Sequence, residues 1–179
     1  MVYTYKCTRM KNVNVVNTLP GDYVSGLVDG EGCFILQYRR EVKRNRPGLP
    51  IYFRWFVAFA IVLRKDDEPL LEMVKNTLGC GGITHTRNEV RYQVQDSKLL
   101  ASKLIPFFER HPLFGKKHKD YLLWKEAVLL LVASKDKTLS TRPEEELSRL
   151  QKIRIAMKTY KAKGASYKWD RDIQTQEKP

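Results

Sequence analysis

The sequence predicts an α+β domain in which helices cover one face of a four-stranded antiparallel sheet. Two stretches, 33–41 and 51–63, alternate as strands do when one face is apolar and the other more polar. Two shorter strands, 81–87 and 89–95, form a second hairpin, and helical patterns precede, separate and follow the hairpins. The resulting order, αββαββα, leaves the second face of the sheet open.

Pro20 suits the first turn of the first helix, which ends at Gly32, and Asp22 is placed to cap or charge the helix start. Gly26 and Gly30 are four residues apart, so they lie on one helix face. A glycine inside a helix costs about 1 kcal/mol relative to alanine. Two of them on one face indicate that a second backbone comes very close.

Glu31 lies at the C-terminal end of this helix, where the helix dipole disfavours a carboxylate. A second copy of the helix, packed through the glycine face, would bring a second Glu31 nearby. Two such carboxylates suit a hard divalent cation between them. A glycine-rich helix end with a solvated glutamate explains the same residues.

The two hairpins place polar side chains on the open face of the sheet, where Arg and Gln suit phosphates and base edges. A solvated strand face would also be polar, but Tyr52, Phe56 and Ala60 on the second strand favour a buried interface. A basic turn region, 42–50, joins the first two strands. The candidate contact residues are Gln37, Arg39, Glu41, Arg54, Thr84, Thr86, Arg91 and Gln93.

The later helices show clear start and stop signals. Asp66 or Asp67 caps the second helix, and Gly79 ends it; Asp96 starts the third, and Pro106 is expected to break or kink it. Two further helices follow, one over 120–133 and one from a capping box at 141–144 to Gly164. We therefore expect an arm (1–18), a core domain (19–133), a helical extension (134–164) and a flexible tail (165–179).

The composition points to a polyanionic partner. Lys and Arg number 33 against 20 Asp and Glu, a formal net charge of +13, which an RNA-binding protein would share. The three cysteines contain no CxxC pair, which argues against zinc or disulfides and indicates a reducing compartment. The longest apolar run, 56–63, is too short to span a membrane, and no apolar secretory signal is visible near the start.

Residues 24–32 (VSGLVDGEG) resemble the signature of the LAGLIDADG homing endonucleases. Gly26, Leu27, Asp29 and Gly32 match it letter for letter, and Glu31 stands in place of its second aspartate. With the order of elements, the resemblance extends over residues 19–132. It implies motif helices at a central interface, saddle-shaped sheets over DNA, and cleavage that leaves short 3′ overhangs.

The resemblance also implies an active site. Glu31, with the carbonyl of Gly30, would bind Mg²⁺ (or Mn²⁺), while Ca²⁺ would support binding without cleavage. The segment 107–117 resembles the family segment that ends in a lysine near the active site. Lys117 is the better match and Lys116 the second; either could stabilise developing phosphate charge, or simply bind the DNA backbone. Some members carry Gln or Arg near the metals, where this chain has residues 63–67, and no role is assigned there.

The chain holds one copy of the motif, which implies a homodimer with Ser25, Gly26, Asp29 and Gly30 at the interface. The expected function is a site-specific endonuclease that makes a metal-dependent double-strand break in a long, near-palindromic DNA target. An intron is the expected host element, with an intein as the alternative. Two other functions use the same fold: an RNA maturase that binds its intron, and a DNA-binding regulator that does not cut. We expect an intracellular protein, in an organelle (mitochondrion or chloroplast) or in a prokaryotic cytoplasm, and no membrane partner.

Overall fold

The computed structural model describes residues 17–42, 51–134 and 142–160. It contains α1 (Gly21–Glu31), β1 (Gly32–Val42), β2 (Ile51–Arg64), a 3₁₀ turn (Lys65–Asp67), α2 (Glu68–Leu78), β3 (Gly82–His85), β4 (Glu89–Val94), α3 (Ser97–Leu99), a π-helical turn (Leu100–Leu104), α4 (Ile105–Arg110), α5 (Lys117–Ala133) and α6 (Glu144–Tyr160). Most of the expected arm, the basic turn, the Thr141 cap, the helix end at Gly164 and the tail lie outside the described residues.

The four strands form one antiparallel sheet in the order β1-β2-β4-β3. The predicted α+β fold and its αββαββα order are therefore confirmed. One sheet face packs against the helices through residues such as Phe34, Phe59 and Tyr92, each at most 1% exposed. Trp124 of α5 is fully buried there, and its indole N–H donates to the Ala58 carbonyl over 2.9 Å.

The middle of β2 is buried on both faces of the sheet, although alternation predicts one polar face. All residues over 56–61 are at most 5% exposed. On the open face this stretch presents Ala58, Ala60 and Phe56, and neighbouring strands flank the small side chains: Ala58 pairs with Ile35 of β1. Phe56 and Ala60, two of the residues that suggested a buried interface from the sequence, are thus already buried within one chain.

The third helix does not break at Pro106. The chain continues as α3, the π-helical turn and α4 up to Arg110, and Pro106 occupies the first turn of α4. A π turn changes the hydrogen-bond register ahead of the proline, a position that suits a residue without an N–H donor. Of the two effects expected at Pro106, a break or a kink, the break was therefore wrong, and the helix leads to the loop beside the C-terminal end of α1.

The start of α1 also differs from the prediction. Pro20 is the N-cap residue, not a first-turn residue, and Asp22 does not cap the helix. The Asp22 carboxylate lies 2.7 Å from Nδ1 of His111 instead. The fifth helix begins at Lys117, three residues before its predicted start, and α6 adds Leu150, Ile153 and Met157 to the same buried cluster as the sheet.

Candidate active site and nucleic-acid interface

Glu31 is the last residue of α1 and is exposed. Among the described residues, no hydrogen bond or ion pair to its carboxylate is formed. The following Gly32 turns the chain directly into β1, and a Cβ there would lie 2.6 Å from Cγ1 of Val28. The turn is therefore tight enough to require glycine, and it fixes Glu31 at the junction of helix and sheet.

Lys117 reaches the end of α1. Its Nζ donates a hydrogen bond to the Gly30 carbonyl over 2.5 Å. Burial lowers the pKa of Lys117, and the negative charge of Glu31 is the largest opposing influence. Lys116, the N-cap of α5, is exposed and makes no side-chain hydrogen bond within the described residues. The structure thus brings Lys117, not Lys116, to the predicted catalytic residues.

Asp29 anchors the loop that precedes Lys117. Its Oδ2 accepts the backbone N–H groups of Phe114 at 2.9 Å and of Gly115 at 3.0 Å. A Cβ at position 115 would lie 2.9 Å from the other carboxylate oxygen, so a side chain there would collide with it. Asp29 therefore uses its carboxylate within its own chain, which the sequence-based assignment to the dimer interface did not foresee.

Ser25 also faces its own chain. It is 4% exposed, and its hydroxyl donates to the His111 carbonyl over 2.6 Å. The Ser25 side chain is therefore engaged within one chain, and its place at the dimer interface stays a prediction. Gly26 and Gly30, the other two predicted interface residues, are exposed, and a Cβ at either would meet no atom within 4 Å.

His111 ties α4 to α1, a role that the sequence analysis missed. Its ring contacts Asp22, lies 5.0 Å from the Phe107 ring centroid and covers Gly21, where a Cβ would lie 2.4 Å from the imidazole. Gly21 was the available sequence signal, because a glycine at a helix start can mark the close approach of another group.

The donors at the end of α1 are oxygen atoms, which suit a hard divalent cation. One chain supplies the Glu31 carboxylate and the Gly30 carbonyl. No group of three or more His, Cys, Asp or Glu side chains in the described ranges could hold a metal. Because such a cation takes about six or more ligands, these residues fit part of a metal site and need further donors from outside the described residues.

On the open face, three predicted contact residues belong to one cluster around Phe56. The Arg39 guanidinium lies 3.4 Å from the Phe56 ring centroid, and Arg39 Nε donates to Gln37 Oε1 over 2.8 Å. The Arg54 guanidinium lies 5.8 Å from the same ring. The structure therefore brings Gln37, Arg39 and Arg54 together at the centre of the β1–β2 hairpin.

Glu41 joins the other side of this cluster. Its carboxylate accepts from the Tyr52 hydroxyl and from Arg54 Nε, each over 2.5 Å. The hydrogen bond from Tyr52, followed by Arg54, holds the Glu41 pKa below its ordinary value. Glu41 is thus an ionised partner that orients Arg54, although the sequence presented it as a separate contact residue.

The second hairpin supplies a less connected set of polar residues. Thr84 pairs with Arg91 across β3 and β4, and Gln93 accepts from the Gln95 amide over 2.8 Å. The Thr86 hydroxyl bonds to the backbone of Glu89 and closes the turn. An open hollow of about 630 Å³ lies beside this turn, lined by Arg64, Lys65, Asp66, Arg87 and Asn88.

Comparison with known proteins decides the family. The sequence-family model for LAGLIDADG endonucleases matches residues 24–128 of this chain, more than half of its 179 residues. The chain belongs to the LAGLIDADG endonuclease family. The match begins in the motif helix and continues into α5, so it includes both Glu31 and Lys117.

Relatives of this LAGLIDADG chain include a probable intron-encoded endonuclease, Cox1-I1b, of Schizosaccharomyces pombe. It is 30% identical over 141 residues, which cover 78% of this chain and 33% of the relative. The homing endonuclease I-ApeII of Aeropyrum pernix is 29% identical over 117 residues, 63% of this chain and 65% of that protein. The chain spans about a third or less of most of the curated relatives it matches.

Solved structures agree with the fold. The homing endonuclease I-TnaI superposes with a TM-score of 0.69 at 25% identity, over 88% of this chain and 98% of that one. I-SmaMI, bound to uncleaved DNA in the presence of calcium ions, gives a TM-score of 0.70 at 23% identity, over 88% of this chain and 49% of that one. Within the described residues, the helices are too short or too polar to cross a bilayer.

The Asp29 anchor generates a stability prediction. We expect Asp29→Ala to lower the free energy of unfolding by about 1–3 kcal/mol, because the N–H groups of Phe114 and Gly115 lose a charged acceptor. Denaturant unfolding followed by circular dichroism measures it. Glu31→Ala, two residues along the same helix, is the matched control and should not lower stability, since its carboxylate makes no hydrogen bond or ion pair among the described residues and opposes the helix dipole. Equal losses in both variants would contradict the anchor.

Proposed function

We propose that this chain is the subunit of a metal-dependent homing endonuclease that makes a double-strand break in a long, near-palindromic DNA site. One observation carries the proposal: the end of the motif helix brings together Glu31, the Gly30 carbonyl and the Lys117 ammonium. A carboxylate, a carbonyl and a cation at one point suit phosphodiester hydrolysis better than structural binding alone.

The substrate would lie across the open face of the sheet. The net charge of +13 favours the polyanionic backbone, and the Arg and Gln side chains of the hairpins supply donors for base edges in the major groove. Thr84, Arg91 and Gln93 would contact one part of a half-site and the cluster around Phe56 another. Because β1 begins at Gly32, directly after Glu31, DNA on this face would pass near the end of α1.

Glu31 and the Gly30 carbonyl would hold Mg²⁺ or Mn²⁺, and such an ion supplies Lewis-acid stabilisation of phosphate charge. The Lys117 ammonium lies beside this site, and with an ion on the Gly30 carbonyl it would turn to the reacting phosphate and offset the negative charge that develops there. Asp29 would keep the loop before Lys117 in place. The relative I-SmaMI is described with uncleaved DNA and calcium ions, which supports the expectation that Ca²⁺ allows binding without cleavage.

The site would be completed by the motif helix of a second copy of this chain. The exposed Gly26 and Gly30 leave room for a second backbone, and Tyr23 beside them is 52% exposed. A two-fold dimer built in this way would read two half-sites symmetrically.

An intron is the proposed host element, because several relatives are named as intron-encoded endonucleases. Among fungal relatives, one is encoded in an ND4 intron of Podospora anserina and one is a mitochondrial protein of Saccharomyces cerevisiae. These support a mitochondrial site of action over a prokaryotic one.

The first test is cleavage of a randomised duplex library with Mg²⁺ by wild type and by Glu31→Gln. We expect wild type to enrich a near-palindromic cut site, and Glu31→Gln to bind that site with cleavage reduced at least about 100-fold, because a metal-binding carboxylate is lost. Site selection without cleavage by wild type would favour a DNA-binding regulator. Selection of structured intron RNA over every duplex would favour a maturase.

Substitutions of Lys117 and Lys116 should differ in their effect on the cleavage rate. We expect Lys117→Ala to lower the single-turnover cleavage rate by about 100- to 1,000-fold, since an electrostatic contact to the reacting phosphate is removed. The neighbouring Lys116→Ala is the matched control and should stay within a few-fold, because its side chain points to no other predicted site residue. The reverse order would assign catalysis to Lys116.

Dimerisation can be tested by a substitution on the face of α1 that carries Gly26 and Gly30. Wild type should have twice the 20.9 kDa mass of one chain by light scattering, and Gly26→Leu should be a folded monomer. Leucine fits the single chain, since nothing lies within 4 Å of the added Cβ, and it raises helix propensity by up to about 1 kcal/mol. Gly82→Leu, at another open glycine in β3, is the matched control and should remain dimeric. A dimeric Gly26→Leu protein would exclude this interface.

A further inference from the structure

Phe56 occupies an unusual position on the sheet face that we assign to DNA. It is a large apolar ring beside the charged and polar side chains of the hairpin, yet it is only 5% exposed. The guanidinium of Arg39 covers it, 3.4 Å from the ring centroid. A cationic side chain on the neighbouring strand thus covers the face of this ring.

This arrangement fixes both the plane and the rotation of the Arg39 guanidinium. Stacking on the ring sets the plane, because a cation is attracted to the face of an aromatic ring. The hydrogen bond from Arg39 Nε to Gln37 Oε1 sets the rotation about the stacking axis. A free arginine has about 2 kcal/mol of rotamer entropy to lose on binding, and here much of that loss is already incurred in the unbound protein.

A second arginine lies near the same ring but is held away from it. Arg54 lies directly across from Arg39 in the strand register and 5.8 Å from the same ring. Its Nε is held by Glu41, whose carboxylate also accepts from Tyr52. Arg54 is therefore drawn toward Glu41 and away from the Phe56 ring, which leaves the ring face to Arg39.

We propose that Phe56 is a positioning residue for DNA specificity: it presents the Arg39 guanidinium to one guanine in each half-site. Guanine is the base whose O6 and N7 accept two parallel N–H donors from one arginine. The ring lies beneath the guanidinium and acts through it without touching the base. This inference rests on the proposed function, because it requires duplex DNA on the open face.

The test compares base preference at every position of the selected target for wild type, Phe56→Leu and Phe56→Tyr. Phe53→Leu is the matched control, since it is the same substitution in the same strand, on the opposite face of the sheet. The readout is the ratio of cleavage rates for guanine against the other bases at each symmetric pair of positions, together with the overall affinity and its salt dependence.

We expect Phe56→Leu to lower discrimination at one symmetric pair of positions by about two- to thirtyfold, the range of a cation–π contact, with other positions unchanged. Phe56→Tyr keeps the ring face and should retain the preference, as should Phe53→Leu. In an Arg39→Ala background, Phe56→Leu should cause no further loss at that pair, because Phe56 acts only through Arg39.

Three results would overturn the proposal while wild type still cuts a defined site. These are an unchanged profile in Phe56→Leu, a uniform weakening at all positions, or an equal additional loss in the Arg39→Ala background. If Phe56→Leu fails to fold, the proposal is decided by Arg39→Ala: a loss of guanine preference at one symmetric pair supports it, and a lower salt slope without a change in preference overturns it. If wild type selects no duplex at all, the proposed function fails and the inference fails with it.

Discussion

The geometry of the candidate site depends on one carboxylate, that of Asp29. Through two N–H···O bonds it joins the end of the motif helix to a loop 85 residues further along the chain. The loop leads directly into α5, whose first residue, Lys117, reaches back to the Gly30 carbonyl. Gly115 makes this approach possible, because any side chain there would meet the carboxylate. Asp29, Gly115 and Lys117 thus behave as one structural unit, and the Glu31 carboxylate makes no hydrogen bond or ion pair among the described residues.

The open sheet face is also organised by contacts within the chain. The side chains that would meet DNA are already engaged with one another: Arg39 with Phe56 and Gln37, and Arg54 with Glu41. Ordering such side chains before a ligand arrives reduces the entropy lost on binding. A carboxylate on a face that meets phosphates is unfavourable by charge alone, but Glu41 is matched by Arg54 and Tyr52. Its contribution is therefore the orientation of other groups.

Much of this structure could be predicted from local patterns. The alternating pattern correctly predicted strand β1, and Gly79 correctly predicted the end of α2. Gly79 has a φ of 64°, the left-handed conformation with which many helices end. Lys117 could be found only through the family resemblance, since no local pattern separates it from Lys116. The partners of Ser25, Asp29 and His111 could not be predicted, because their contacts cross more than 80 residues of sequence. The continuation of the helix past Pro106 was missed because a π turn leaves no mark in apolar spacing.

The coupling on the sheet face bears on how such a protein acquires a new target. Gln37, Arg39, Phe56, Arg54, Glu41 and Tyr52 form one chain of contacts across two strands. Substitutions at residues in contact are generally not additive, so a single replacement that suits a new base would disturb its neighbours' orientations as well. Retargeting by single steps would pass through variants with poorly defined preferences. Sequence change on this hairpin should therefore proceed in correlated groups, whereas the less connected Thr84 and Arg91 on the second hairpin can vary more independently.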